Sequence, residues 1–177
     1  VGFFAIVIAR WPSGASTASM QEWRNLFAGA SALSINARSF GLPIEYAASW
    51  SRVTQWLVIA LMAVGAGSAG TGGGIKVNTI AELIAGVRKI LRGQPVTRAF
   101  GIALAWLAMY FGLVAAILLL LLHQVTEMPA DRVLFLAVSA VSNCGLTHDL
   151  ISITKQGLFT LSAAMFAGRV VPLLVLW

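Results

Sequence analysis

The chain has 177 residues, 59% of them hydrophobic and only 10% charged, against about 25% charged in an ordinary soluble domain. With a mean hydropathy of +0.87 it cannot cover itself with polar surface, so the composition excludes an ordinary soluble domain and predicts an all-α integral membrane protein. The net charge of +6 comes with no aromatic–basic patch, which argues against nucleic acid as a partner, and the single cysteine, Cys144, excludes an intrachain disulfide.

The chain opens at Val1, without Met, inside the apolar stretch VGFFAIVIA, and it stops at Trp177 inside VVPLLVLW. Neither end carries the basic region and cleavage site of a signal peptide. Both read as cuts through hydrophobic segments, so the expected object is a piece of a longer multi-pass protein of the cytoplasmic membrane. Further along, LVIALMAV runs into GAGSAGTGGGIKV, with glycines at 65, 67, 70, 72, 73 and 74. Gly65, Gly67 and Gly70 spell G-x-G-x-x-G, but a dinucleotide site needs a parallel sheet and an acid about 20 residues on. Glu82 lies too near and the next acid is Glu127. A phosphate loop fails as well, because Ile75 separates Gly74 from Lys76. Each glycine costs a helix about 1 kcal/mol relative to Ala, so the stretch is expected to unwind a helix that would otherwise run from about Val53 to Leu91. A small-residue surface for tight helix packing is the competing reading.

Arg88, Lys89, Arg92 and Arg98 fall in the acid-free connection RKILRGQPVTR, which assigns that connection to the cytoplasmic side. The uncharged run Ala99–Leu122 follows. At about 1.5 Å per residue it makes roughly 36 Å of helix, enough to cross a bilayer core of about 30 Å with some tilt. Glu22, Glu45, Glu127, Asp131 and Asp149 then lie on the predicted outer side, leaving Glu82 apart. The tryptophans at 11, 23, 50, 56, 106 and 177 read mostly as interfacial anchors.

Comparing the halves exposes a repeat. LFAGASALS at 26–34 and LFLAVSAVS at 134–142 share Leu, Phe, Ser, Ala and Ser in register. Each half then reaches a Gly-Leu pair, Gly41-Leu42 and Gly145-Leu146, followed by a long apolar segment. The first unit, 1–93, is expected to hold a truncated outer helix, a short helix at about 22–36, a turn at about 38–42 and an inner helix broken at 65–74. The second, 94–177, is expected to hold an outer helix at about 99–122, a short helix at 131–142, a turn at 143–147 and an inner helix at 156–177. The short helices cannot span, since that needs about 20 apolar residues, and they read as re-entrant. Two such units are expected to be related by rotation about an axis along the membrane normal. Irregular backbone at membrane depth survives only in protein or along water. A helix entering from outside points its negative end inward, where it favours a cation, and a glycine turn can offer carbonyls in place of hydration water.

These landmarks resemble the membrane subunits of the Trk/Ktr/HKT superfamily of potassium transporters, in their third and fourth pore repeats. NARSFGL is similar to the third filter turn, SNCGLT to the fourth, GAGSAGTGGGIKV to the Gly-Ser-Thr-Gly-Gly-Gly-Ile-Lys gate stretch, and MFAGRVVP to the Gly-Arg-Val-Gly-Pro of the last inner helix. Phe40 and Val171 depart from the family pattern. The resemblance implies pore helices at 22–36 and 131–142 and a selectivity filter of Ser39, Phe40, Gly41, Leu42, Asn143, Cys144, Gly145 and Leu146. It implies a gate loop of Gly65, Gly67, Gly70, Gly72, Gly73, Gly74 and Lys76, and potassium held by filter carbonyls alone, with no cofactor and no catalysis. Glycine at both 41 and 145 favours K⁺ over Na⁺; mixed Na⁺/K⁺ permeation by the same fold is the alternative. The implied partners are the bilayer, the remaining pore repeats of the parent chain, a second copy in a homodimer and a cytoplasmic nucleotide-binding regulatory subunit.

Arg169 sits within the last apolar segment, where a charge costs at least about 2.5–3.5 kcal/mol. It is therefore expected to face the bundle interior and anchor the gate loop, with snorkelling to an interface as the other reading. Lys76 divides between a gate role and the inner interface. Arg38 either supports the filter turn or lies solvated in a vestibule. Cys144 and His148 suggest a membrane-embedded enzyme or a metal site, but no ligand spacing accompanies them.

Overall fold

In a computed structural model, residues 2–11, 19–39, 47–65, 73–125, 128–148 and 154–176 are described. They form seven α-helices: α1 (Gly2–Ala9), α2 (Met20–Ser39), α3 (Arg52–Ala63), α4 (Val77–Leu91), α5 (Arg98–Gln124), α6 (Ala130–Val141) and α7 (Lys155–Leu176), with a 3₁₀ turn at Ala47–Ser49. Local chemistry explains most of the ends. Ser19 and Glu22 form a capping box at α2: the Ser19 N–H donates to Glu22 Oε2 at 2.8 Å, and the Glu22 N–H donates to Ser19 Oγ at 3.3 Å. Ser51 caps α3 by accepting from the Thr54 N–H. At the end of α4, Gly93 takes φ +67°, and Gln94 N–H and Gly93 N–H donate to Lys89 O and Ile90 O, a Schellman closure.

The helices make two sets of three. α1, α2 and α3 pack pairwise against one another, as do α5, α6 and α7; α3 against α6 joins the sets, and α4 lies along α5. The α4–α5 contact is close because Gly86 has no side chain to collide with the ring of Phe100. α5 buries one stripe, Ala103, Trp106, Tyr110, Val114, Ile117 and Leu121, whose 3–4 spacing is one helical face. Its other face exposes Ile102, Leu104, Phe111, Leu119 and Leu120. Among the described residues, α5 is the one helix long and apolar enough to cross a membrane, and the all-helical architecture is compatible with an all-α membrane fold.

At the centre lies α6. Seven consecutive residues, Phe135 to Val141, are buried, so no face of its second half is free. Trp50 and Trp106 are also in the core, which corrects the interfacial assignment for those two: each caps a cluster rather than a surface. α7 reaches α6 through Gly168, whose Cα lies so near Val141 O that a Cβ there would overlap it. Gly168→Ala should therefore push the two helices apart and destabilise the fold by about 1–3 kcal/mol. Gly112→Ala, where a Cβ meets nothing within 4 Å, should be neutral or stabilising by up to about 1 kcal/mol. Thermal unfolding of the detergent-solubilised protein compares the two; equal transition temperatures would contradict the close approach.

Candidate functional site

Two helices flank the glycine stretch: α3 stops at Ala63 and α4 begins at Val77. The two stumps remain side by side. Val64 and Ile75 form a parallel bridge, in which the Gly65 N–H donates to Ile75 O at 2.9 Å and the Ile75 N–H donates to Ala63 O at 2.8 Å. The described residues on either side of 66–72 are thus tied together, and Gly67, Gly70 and Gly72 lie outside the described residues. Gly74 holds φ +76° at the returning end.

From that end the Gly73 N–H donates to Ser142 O at 2.9 Å, directly at the C-cap of α6. A Cβ on residue 73 would lie 2.5 Å from the same oxygen, so only glycine permits the approach. α6 itself closes with a Schellman motif: the Cys144 N–H donates to Ser139 O at 2.9 Å and the Asn143 N–H to Ala140 O at 3.0 Å. Its left-handed residue is Asn143, at φ 53°, and Gly145 follows at φ 78°. The Asn143 side chain donates from Nδ2 to Met165 O on α7 at 2.9 Å. Along the turn Cys144 and Leu146 are buried while Gly145 is exposed, so the backbone at Gly145 faces the open side of the bundle.

Links to the first unit complete the site. The Cys144 thiol donates to Ala37 O in the last turn of α2 at 3.1 Å, and the Ala48 N–H donates to His148 O at 3.0 Å. The His148 ring stands edge-on to Phe135. Cys144 and His148 are therefore core residues tied to main chain and an aromatic ring, a setting in which a cysteine is inert rather than nucleophilic. α2 runs through Ser39, past the expected end near 36, so Arg38 and Ser39 belong to its last turn. Phe40, Gly41 and Leu42 lie outside the described residues, as do the side chains of Arg38 and Ser39.

Within this chain Arg169 is exposed, because α7 packs through Gly157, Thr160 and Ala164, with Gly168 against α6, and the next residue is turned about 100° off that face. Lys76, the N-cap residue of α4, is half-buried beside the returning end of the glycine stretch. Between loop and bundle, Gly74, Trp106, Tyr110, Val141, Gly168 and Val171 line a cavity of ≈ 10 Å³, about the space of one water. Sequence reasoning missed Ser142 as a hub and Tyr110 as its partner. Ser142 closes the repeated LFxxxSAxS pattern, and Tyr110 is the hydroxyl-bearing residue within an apolar span, which were the available signals.

These features describe an all-helical bundle, compatible with an all-α membrane fold, in which a buried short helix ends at a glycine-bearing turn. No family model matches the chain. Among curated proteins it is similar to Ktr system potassium uptake protein B of Vibrio alginolyticus, 28% identical over 149 residues, which make up 79% of this chain and 33% of that protein. The chain thus matches about a third of the relative's length. The similarity supports a relation to Trk/Ktr-type potassium transporters.

The thiol geometry is open to a direct check. Cys144 should resist maleimide in the folded protein and react after denaturation in SDS, as read by mass spectrometry. Fast labelling of folded protein would refute the Cys144–Ala37 contact.

Proposed function

We propose that this chain forms part of a potassium uptake pore in the cytoplasmic membrane, contributing two of the pore repeats. The observation that carries the reading is the juncture at α6: a buried helix ends at a turn with exposed backbone at Gly145, and the returning glycine loop bonds to that helix end through Gly73. The similarity to a potassium uptake protein supports it, and so do the matching three-helix sets on either side of the α3–α6 contact. In this reading residues 143–146, with 39–42, contribute carbonyls to a filter, and the helix dipole of α6 favours a cation at its C-terminal end. About four contributors are needed to encircle an ion, so further repeats complete the ring. The chemistry is transport, without a covalent step. A homodimer and a cytoplasmic nucleotide-binding regulatory subunit follow from the family resemblance.

The glycine loop at 65–74 acts as a constriction below the filter, and the charges of Lys76 and Arg169 add a positive barrier to a passing cation. Radiolabelled rubidium flux into proteoliposomes, using the complete reading frame that contains this chain, tests the reading; its absence from well-folded protein would refute it. Deleting Gly72 to Gly74 should raise flux, and Arg169→Ala should act in the same direction without altering K⁺/Na⁺ preference. Gly41→Ser should instead shift ion preference toward Na⁺. Unchanged flux in a folded deletion variant would make the glycines packing residues.

Topology is tested separately. In a Cys144→Ala background, Gln94→Cys in the exposed α4–α5 connection should react with a membrane-impermeant maleimide only from the cytoplasmic side. Labelling from outside would invert the assignment.

A further inference from the structure

Ser142 is fully buried, and each of its oxygens has a partner on a different element. Its hydroxyl is 2.7 Å from the hydroxyl of Tyr110 on α5, a normal distance for a strong O–H···O bond, and its carbonyl accepts the Gly73 N–H. Tyr110 is itself only 4% exposed. The residue after Ser142 is Asn143, where the backbone turns left-handed and the proposed filter turn begins. One side chain on the outer helix therefore reaches the hinge between pore helix and turn, and the same hinge residue holds the returning end of the glycine loop.

We infer that Tyr110 is a positioning residue for the pore: through Ser142 it holds the turn at 143–146 in place and ties that turn to the glycine loop. The inference rests on the pore reading. It follows from desolvation. Bulk water does not reach the site, so a Ser142 hydroxyl that loses Tyr110 either reorients or takes a single trapped water from the adjoining cavity, and both change the support of the turn. Because Ser142 is the last residue before the left-handed position, a reorientation is transmitted to the turn's carbonyls and to the Gly73 bond. Two otherwise separate features thereby share one support: the turn that would discriminate ions and the loop that would impede them.

Tyr110→Phe removes one oxygen and keeps the ring packing of the α5 stripe. In proteoliposomes containing the complete protein, it should lower the K⁺/Na⁺ flux ratio at least about threefold and change total flux. Ser142→Ala should do the same, and the double variant no more than either single one, since both delete one interaction. Gly112→Ala, which touches nothing within 4 Å, should leave the ratio unchanged. A second measurement needs no variant: in wild-type protein, exchanging choline for potassium should slow amide hydrogen exchange at 73–75 together with 143–146. Wild-type protein without rubidium flux would refute the pore reading itself. Wild-type flux with an unchanged ratio in Tyr110→Phe or Ser142→Ala would overturn the positioning role and leave the pore reading standing. Slowed exchange at 143–146 alone would overturn the link to the loop.

Discussion

A helix that ends inside a protein must find partners for its last carbonyls, and that constraint organises this molecule around the C-terminus of α6. The helix is buried on every side from Phe135 to Val141, so no bulk water reaches its end. Its own turn supplies two donors, Asn143 N–H and Cys144 N–H, and the third comes from Gly73, a residue of the other helix set. The elements that converge there are held by close backbone approach more than by side-chain bulk. Gly168 lets α7 come against Val141 O, and Gly73 lets the returning loop come against Ser142 O.

The glycine stretch takes its meaning from the same place. Glycines alone would unwind a helix without deciding where its halves go. The Val64–Ile75 bridge keeps the stumps of α3 and α4 together. The returning end of the stretch bonds to the α6 cap.

The helices meet as two sets of three, each in mutual contact, and the sets touch through α3 and α6. The units are not copies in detail. α2 continues to Ser39, whereas α6 stops at Val141, although the shared LFxxxSAxS pattern ends at Ser34 in one and Ser142 in the other. The longer helix brings Ala37 O to the Cys144 thiol, so the asymmetry itself provides a bond between units.

By itself the sequence determined the all-helical class, the extent of α5, an interruption between Val53 and Leu91, and the positive φ at Gly145. All of these depend on properties that act locally: apolar run length, the helix cost of glycine, and the freedom of φ at a residue without Cβ. Even the left-handed cap at Asn143 was within reach, since Asn is the usual substitute for Gly at that position. Only the tertiary structure decided which residues meet. Tyr110 and Ser142 stand 32 positions apart and Ala37 and Cys144 stand 107 apart, so their contacts leave no periodic or compositional trace. The outward position of Arg169 was likewise undecidable from its apolar surroundings. It follows from Gly168 being used for the α6 contact, and helical geometry then turns the next side chain off that face.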